Sequence, residues 1–118
     1  MAIAYVIRER RVAFLNKVGE AFLDYALSLE PGSSDAHLLK GWYHFERNQI
    51  AEALAFANRA IELEPDYAKA WMGLGFFLTK GPRPTEAVSA FSKALELYPG
   101  YPQRTSIIGI IHSLQDDA

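Results

Sequence analysis

The chain has no cysteine. That excludes disulfide staples, thiolate metal sites and thiol nucleophiles, and it leaves the redox compartment open. Long apolar runs are also lacking: no stretch approaches the roughly 20 residues that a bilayer-spanning helix needs. A surplus of one charge is missing too. Twelve Lys and Arg against fourteen Asp and Glu give a net charge of −2, too little for a whole-molecule field that would draw nucleic acid. The local basic run from Arg8 to Arg11 is interrupted by Glu9 and reads as a solvated helix face. The opening stretch, MAIAYVIRERRVAFL, puts its arginines after the apolar residues, the reverse of a secretory leader, and predicts a cytoplasmic protein. What remains is ordinary globular composition. The 118 residues are half apolar and 22% charged, enough for one domain with a real core.

What the chain does have is repetition. AIELEPDY, from Ala60 to Tyr67, returns as ALELYPGY from Ala94 to Tyr101 and is foreshadowed by ALSLEPGS from Ala26 to Ser33. Pro31, Pro65 and Pro99 stand 34 residues apart. Ahead of the last of these, Ala87, Phe91, Ala94 and Leu95 fall at i, i+4, i+7 and i+8, one face of an α-helix rather than the alternation of a strand. Proline ends such a helix because its ring blocks the hydrogen-bond ladder and pushes the preceding residue out of the helical region. Ser33 or Ser34, and Asp66, are then N-cap candidates, and Pro102 suits the first turn of a last helix. A second break falls inside each unit, as TKGPRPT from Thr79 to Thr85 and as ERNQ after Phe45. Each unit therefore holds two short helices. Neither could bury its apolar face alone, so stacking on the next unit must supply the core.

These residues resemble the tetratricopeptide repeat, whose pattern is W-x2-L-G-x2-Y, then A-x3-F and a closing P. The second full unit matches it through Trp71, Leu74, Gly75, Leu78 in place of Tyr, Ala87, Phe91, Ala94 and Pro99. The resemblance implies an all-α fold, a right-handed α-solenoid of helix-turn-helix repeats with a C-terminal capping helix. One domain would cover 1–118: a degenerate N-terminal hairpin at 1–33, repeats at 34–67 and 68–101, and the cap at 102–118. In the first full unit Gly41, Ala53, Ala60 and Pro65 fit, but His37, Lys40 and His44 stand where Trp, Leu and Tyr belong. The apolar residues sit beside them, as Leu38, Leu39, Trp42, Tyr43 and Phe45, and Phe56 and Ala57 are swapped relative to Ala90 and Phe91. The apolar face is thus displaced by about one residue, roughly 100° around the helix. Either this helix is rotated in the stack or its aromatics face a partner. Residues 1–32 read as a hairpin turning at Asn16 or as one long kinked helix. At the other end Ile107, Ile110, Ile111 and Leu114 cluster on a helix expected to cap the helices of 68–98. Gly109 stands at the register of Gly41 and Gly75, which favours helix over strand for SIIGII.

The resemblance further implies a concave face, lined by the first helix of each unit, that holds an extended peptide or a partner's helix. The expected lining is Leu38, Trp42 and Phe45, then Lys69, Met72, Phe76 and Thr79, then Gln103, Ser106 and Ile110. Such a surface suits an apolar or amphipathic segment. Some members grip acidic chaperone tails with Lys, Asn and Arg, but the matching places here hold Leu38, Trp42, Gly73, Gln103 and Ile107, none of them charged. The expected function is non-catalytic protein binding, in the manner of a chaperone or assembly adaptor. Two other classes remain open: a self-associating module that buries the aromatics of 38–56 and the Ile-rich end, and a regulator using His37, Lys40 and His44. His37 and His44 lie two turns apart, about 10 Å, too far to share one ion, and read as a solvated polar face. No cofactor, metal, nucleic-acid or catalytic site is expected. The GLG at Gly73–Gly75 lies inside a helix and serves packing, not phosphate binding.

Overall fold

The computed structural model describes residues 17–116, and among them every regular element is helical. Helix α1 covers residues 17–29, α2 Ser34–Glu46, α3 Ile50–Leu63, α4 Ala68–Thr79, α5 Glu86–Leu97 and α6 Arg104–Asp116. The basic run at Arg8–Arg11, and the choice between a hairpin and a kinked helix around Asn16, lie outside the described residues.

Local chemistry explains the helix ends. Ser33 caps α2: its backbone is extended and its side chain accepts from the Ala36 N–H at 3.1 Å. The helix ends at Glu46, and the chain turns away at Asn48, which is left-handed at φ 62°, a conformation asparagine tolerates better than most residues. The Asn48 and Gln49 N–H groups then donate to the carbonyls of Phe45 and His44, both at 2.9 Å. At α4 the expected cap is corrected. Tyr67, not Asp66, occupies the N-cap position, with no side-chain hydrogen bond to the helix. The entry is held instead by the Trp71 indole N–H, which donates to the Pro65 carbonyl at 2.8 Å. Pro102 likewise lies in the turn ahead of α6, which begins at Arg104.

Helices α2 and α3 form one hairpin and α4 and α5 the next; α4 also packs on α2 and α3, and α6 on α5. In the second hairpin Phe91 is fully buried under Gly75, with Met72, Ala87, Ala94 and Leu95 around it. Ile107 of α6 closes this cluster, and Ile108, Ile110, Ile111 and Leu114 pack beside it. The other face of α6 is exposed and polar or small, with Thr105, Ser106, Gly109 and His112, as the end of a stack in water requires.

The first hairpin solves the same packing problem differently. Its counterpart of Phe91 is Ala57, which cannot fill the space beneath Gly41. Phe77 fills it from the next unit: the ring is fully buried against Ala53 and Ala57, and a Cβ on Gly41 would meet it at 3.0 Å. Trp42 and Phe45 close over that ring, each with its centroid 4.9 Å from Phe77. The displaced face of α2 therefore turns its aromatics largely inward, and both Trp42 and Phe45 are half-buried.

Candidate functional site

The first helices of the units, α2 and α4, together with α6, frame an open cavity of about 400 Å³. Its wall is built from Asp35, Leu38, Leu39 and Trp42 on α2, Lys69, Met72, Gly73 and Phe76 on α4, and Gln103 and Ile107 at α6, with Tyr67 and Tyr101 from the turns. The floor is apolar because Gly73 lets α2 and α4 approach closely. A Cβ there would stand 2.8 Å from Leu38 Cδ1 and 3.4 Å from Trp42 Nε1. Leu38 and Met72 are buried, Trp42 and Phe76 half-buried, and Leu39 is exposed. Among the described residues the Trp42 indole N–H makes no hydrogen bond, and the side chain is half-buried. That leaves one oriented donor beside apolar surface, the combination that orders a bound chain.

The rim is polar. Tyr67 donates its hydroxyl to Asp35, and Ser34 donates to Glu64 at 2.9 Å, so two carboxylates are held near the start of α2. Burial, then the hydrogen bond to Asp35 and the charges of Asp35 and Glu64, push the Tyr67 phenol well above its usual 10.0. Tyr101 is pushed up as well, by burial and then by Tyr98. Both phenols stay neutral donors at any physiological pH.

Of the ten side chains expected to line the concave face, Leu38, Trp42, Lys69, Met72, Phe76 and Gln103 meet in the cavity wall. The other four stand elsewhere. Phe45 packs on Phe77 and lies under the Lys80 ammonium, 4.9 Å from its ring centroid. Thr79 bonds back to the Phe76 carbonyl at 2.6 Å, Ser106 is exposed on the outer side of α6, and Ile110 packs against the Phe91 cluster. The wall also contains Asp35, Leu39, Tyr67, Gly73, Tyr101 and Ile107, which were not expected there. A signal for several of them was present: Asp35 is in register with Lys69 and Gln103, and Tyr67 with Tyr101, at the same 34-residue interval.

Comparison with known proteins places this architecture. Family models described as tetratricopeptide repeat match residues 19–75 and 57–102, together most of the chain. The chain belongs to the tetratricopeptide repeat family. A solved crystal structure, that of MamA, superposes with a TM-score of 0.69 at 24% identity, which is a likeness of fold. The match covers 80% of this chain and 55% of that one, so the chain spans about half the length of MamA. No curated protein matches it. Repeats of this family generally serve as protein-interaction scaffolds, and that is the coarse function the family assigns.

Within the tetratricopeptide frame, two polar or apolar surfaces depart from expectation. The face with His37, Lys40 and His44 is half-buried rather than fully solvated. It packs on Phe56 of α3: the His44 ring stacks on it at 5.4 Å, His37 tilts over it at 6.3 Å, and the Lys40 ammonium sits 5.2 Å from its centroid. Lys40 also pairs with Asp24 of α1 and is only 16% exposed. His37 Nδ1 and His44 Nδ1 are engaged by the Ser33 carbonyl and Gln49 Oε1. Among the described residues no group of His, Asp and Glu is placed to hold a metal ion. The second departure is on α1, where Val18, Phe22, Tyr25 and Leu29 form an exposed apolar stripe, Phe22 being 67% exposed. Among the described residues, exposed apolar area therefore concentrates on α1, whereas the aromatics of 38–56 are half-buried and the Ile-rich end is packed. No helix among the described residues is long and apolar enough to cross a membrane.

Proposed function

We propose that this protein binds a short apolar or amphipathic segment of another protein in the groove framed by α2, α4 and α6, as a non-catalytic adaptor or chaperone. The observation that carries the reading is the open cavity, walled by Leu38, Trp42, Met72 and Phe76. About 400 Å³ is room for one or two large side chains, so the bound segment is anchored by few residues.

Phe76 is a poor place to test this, because its ring packs edge-on against the buried Phe91 at 5.1 Å. Leu39 is better: it lines the cavity but is 55% exposed and holds no core together. The chain has two tryptophans, so a Trp71→Phe background leaves Trp42 as the reporter of groove occupancy. Titration with a capped peptide carrying one Leu among polar residues is expected to give a saturable change in Trp42 emission. Leu39→Glu is expected to weaken that binding about tenfold or more, by losing apolar contact and placing a charge at the cavity, with melting unchanged. Absence of any saturable change up to millimolar peptide would count against the groove.

The α1 stripe favours a second reading, self-association. Sedimentation velocity across a concentration series is the test: the wild type is expected to form a dimer that Phe22→Glu dissolves while leaving the peptide titration intact. A monomer at all concentrations removes this reading.

A further inference from the structure

The groove has an ordered set of charges as well as an apolar floor. Asp35 on α2, Lys69 on α4 and Gln103 just ahead of α6 recur at one position of the repeat, 34 residues apart, and all three border the cavity. Asp35 sits in the first turn of α2 and is tethered by the Tyr67 hydroxyl. Lys69 sits in the first turn of α4, exposed, and joins no ion pair among the described residues. Helix physics accounts for Asp35, since an acid suits a helix N-terminus. It does not account for Lys69, because a cation in that first turn opposes the dipole. The two charges border one cavity, yet they do not pair with each other. Asp35, held by the Tyr67 hydroxyl, and Glu64, held by the Ser34 hydroxyl, place two carboxylates on the α2 side of the rim.

We propose that the groove selects a partner segment in which a bulky apolar side chain is flanked by a cationic residue on the Asp35 side and a carboxylate on the Lys69 side. This deepens the groove reading and rests on it. The apolar residue enters the cavity against Met72 and Trp42. Its cationic neighbour meets the Asp35 carboxylate, and the acidic one meets the Lys69 ammonium, where the N-terminus of α4 adds a favourable potential. Packed neighbouring helices lie about 8–10 Å apart, which an extended chain spans in about three residues. The two charges of the ligand are therefore read about three positions apart.

Four peptides, acetylated and amidated, test this with the Trp42 reporter. They share a Leu and differ only at two sites three residues apart, which hold Arg and Glu, Arg and Gln, Gln and Glu, or Gln and Gln. The Arg–Glu peptide is expected to bind tightest, each charge contributing about two- to fivefold, with the gain shrinking near 0.5 M salt. Asp35→Asn keeps an acceptor for Tyr67 and is expected to erase the preference for Arg alone. Lys69→Gln is expected to erase the preference for Glu alone. Equal binding of all four peptides, a preference for only one charge, or variants that keep both preferences overturns the charge pairing while the groove stands. If none of the four binds, the groove reading falls and this inference with it. A self-associated protein that the Arg–Glu peptide neither binds nor dissolves assigns the groove to a second copy, and that also overturns it.

Discussion

Truncating Phe77 to alanine is expected to lower the unfolding free energy by about 3–5 kcal/mol, the range for emptying a fully buried aromatic site. The ring is 0% exposed and lies among Ala53, Ala57, Trp42 and Phe45. None of the alanines can move a side chain into the vacancy, and Trp42 is held by its other contact, to Phe76 at 5.8 Å. The site can collapse little, so the cavity penalty adds to the lost transfer energy. Because Phe77 belongs to α4 but fills the space between α2 and α3, its loss also loosens one unit from the next. In a domain with about 5–15 kcal/mol in total, such a loss is a large share. Thermal unfolding by circular dichroism is expected to shift down by roughly 10–25 °C. Phe56→Ala serves as the control. Its ring is only half-buried, against His44 and Lys40, and about 1–2 kcal/mol is expected. Equal losses at the two sites would mean that Phe77 does not bridge the units as described.

Phe77 also shows where reading the sequence reached its limit. The 34-residue period, the prolines and the alternating helix breaks are local signals, and each maps onto a helix end, so the repeat architecture was legible. Phe91, Ala87 and Ala94 follow a helical face and are buried as that face predicts. The swap of Ala57 and Phe56 was visible too, but its consequence was not. That Phe77 compensates for Ala57 is a contact between units, and no intra-helix spacing encodes which neighbour fills a void. The same limit applies to His37, Lys40 and His44, which look like a solvent-facing stripe on α2 alone. They are half-buried because Phe56 of α3 and Asp24 of α1 come to meet them.

For the groove, six of ten expected residues meet in the cavity wall, and the four others deviate for a common reason. The lining was assigned by carrying one face along the register of the first helices. Phe45 and Thr79 lie a turn beyond the cavity, and α6 presents Ile107 to it in place of Ser106 and Ile110. The rim was missed because Asp35 and Tyr67 precede the apolar stripe and look, one helix at a time, like an ordinary first-turn acid and a loop tyrosine. Their 34-residue register with Lys69, Gln103 and Tyr101 hints at a shared surface, and their mutual hydrogen bond joins them at the groove.

The most discriminating stability test uses one substitution at one repeat position, expected to change sign along the chain. Gly41, Gly75 and Gly109 stand 34 residues apart on α2, α4 and α6. At Gly75 an added Cβ would sit 2.5 Å from two carbons of the Phe91 ring, which is fully buried and has no free direction in which to yield. Gly75→Ala is therefore expected to cost about 1–3 kcal/mol through overpacking, even after the helix-propensity gain of about 1 kcal/mol that alanine brings. At Gly41 the nearest contacts are 3.0 Å to the Phe77 ring and 3.3 Å to the Ala53 carbonyl, so a few tenths of an ångström of adjustment suffices and a smaller cost is expected. At Gly109 nothing lies within 4 Å, because no second helix packs on that face of α6 among the described residues. There the propensity term acts alone, and Gly109→Ala is expected to stabilise by about 0.5–1 kcal/mol. Urea unfolding of the three variants gives the order directly. Pairing Gly75→Ala with Phe91→Leu should recover part of the loss, since the smaller side chain can withdraw from the new methyl group. If Gly109→Ala destabilises as much as Gly75→Ala, then α6 is not the free outer face of the stack, and a helix of this chain or another must lie upon it.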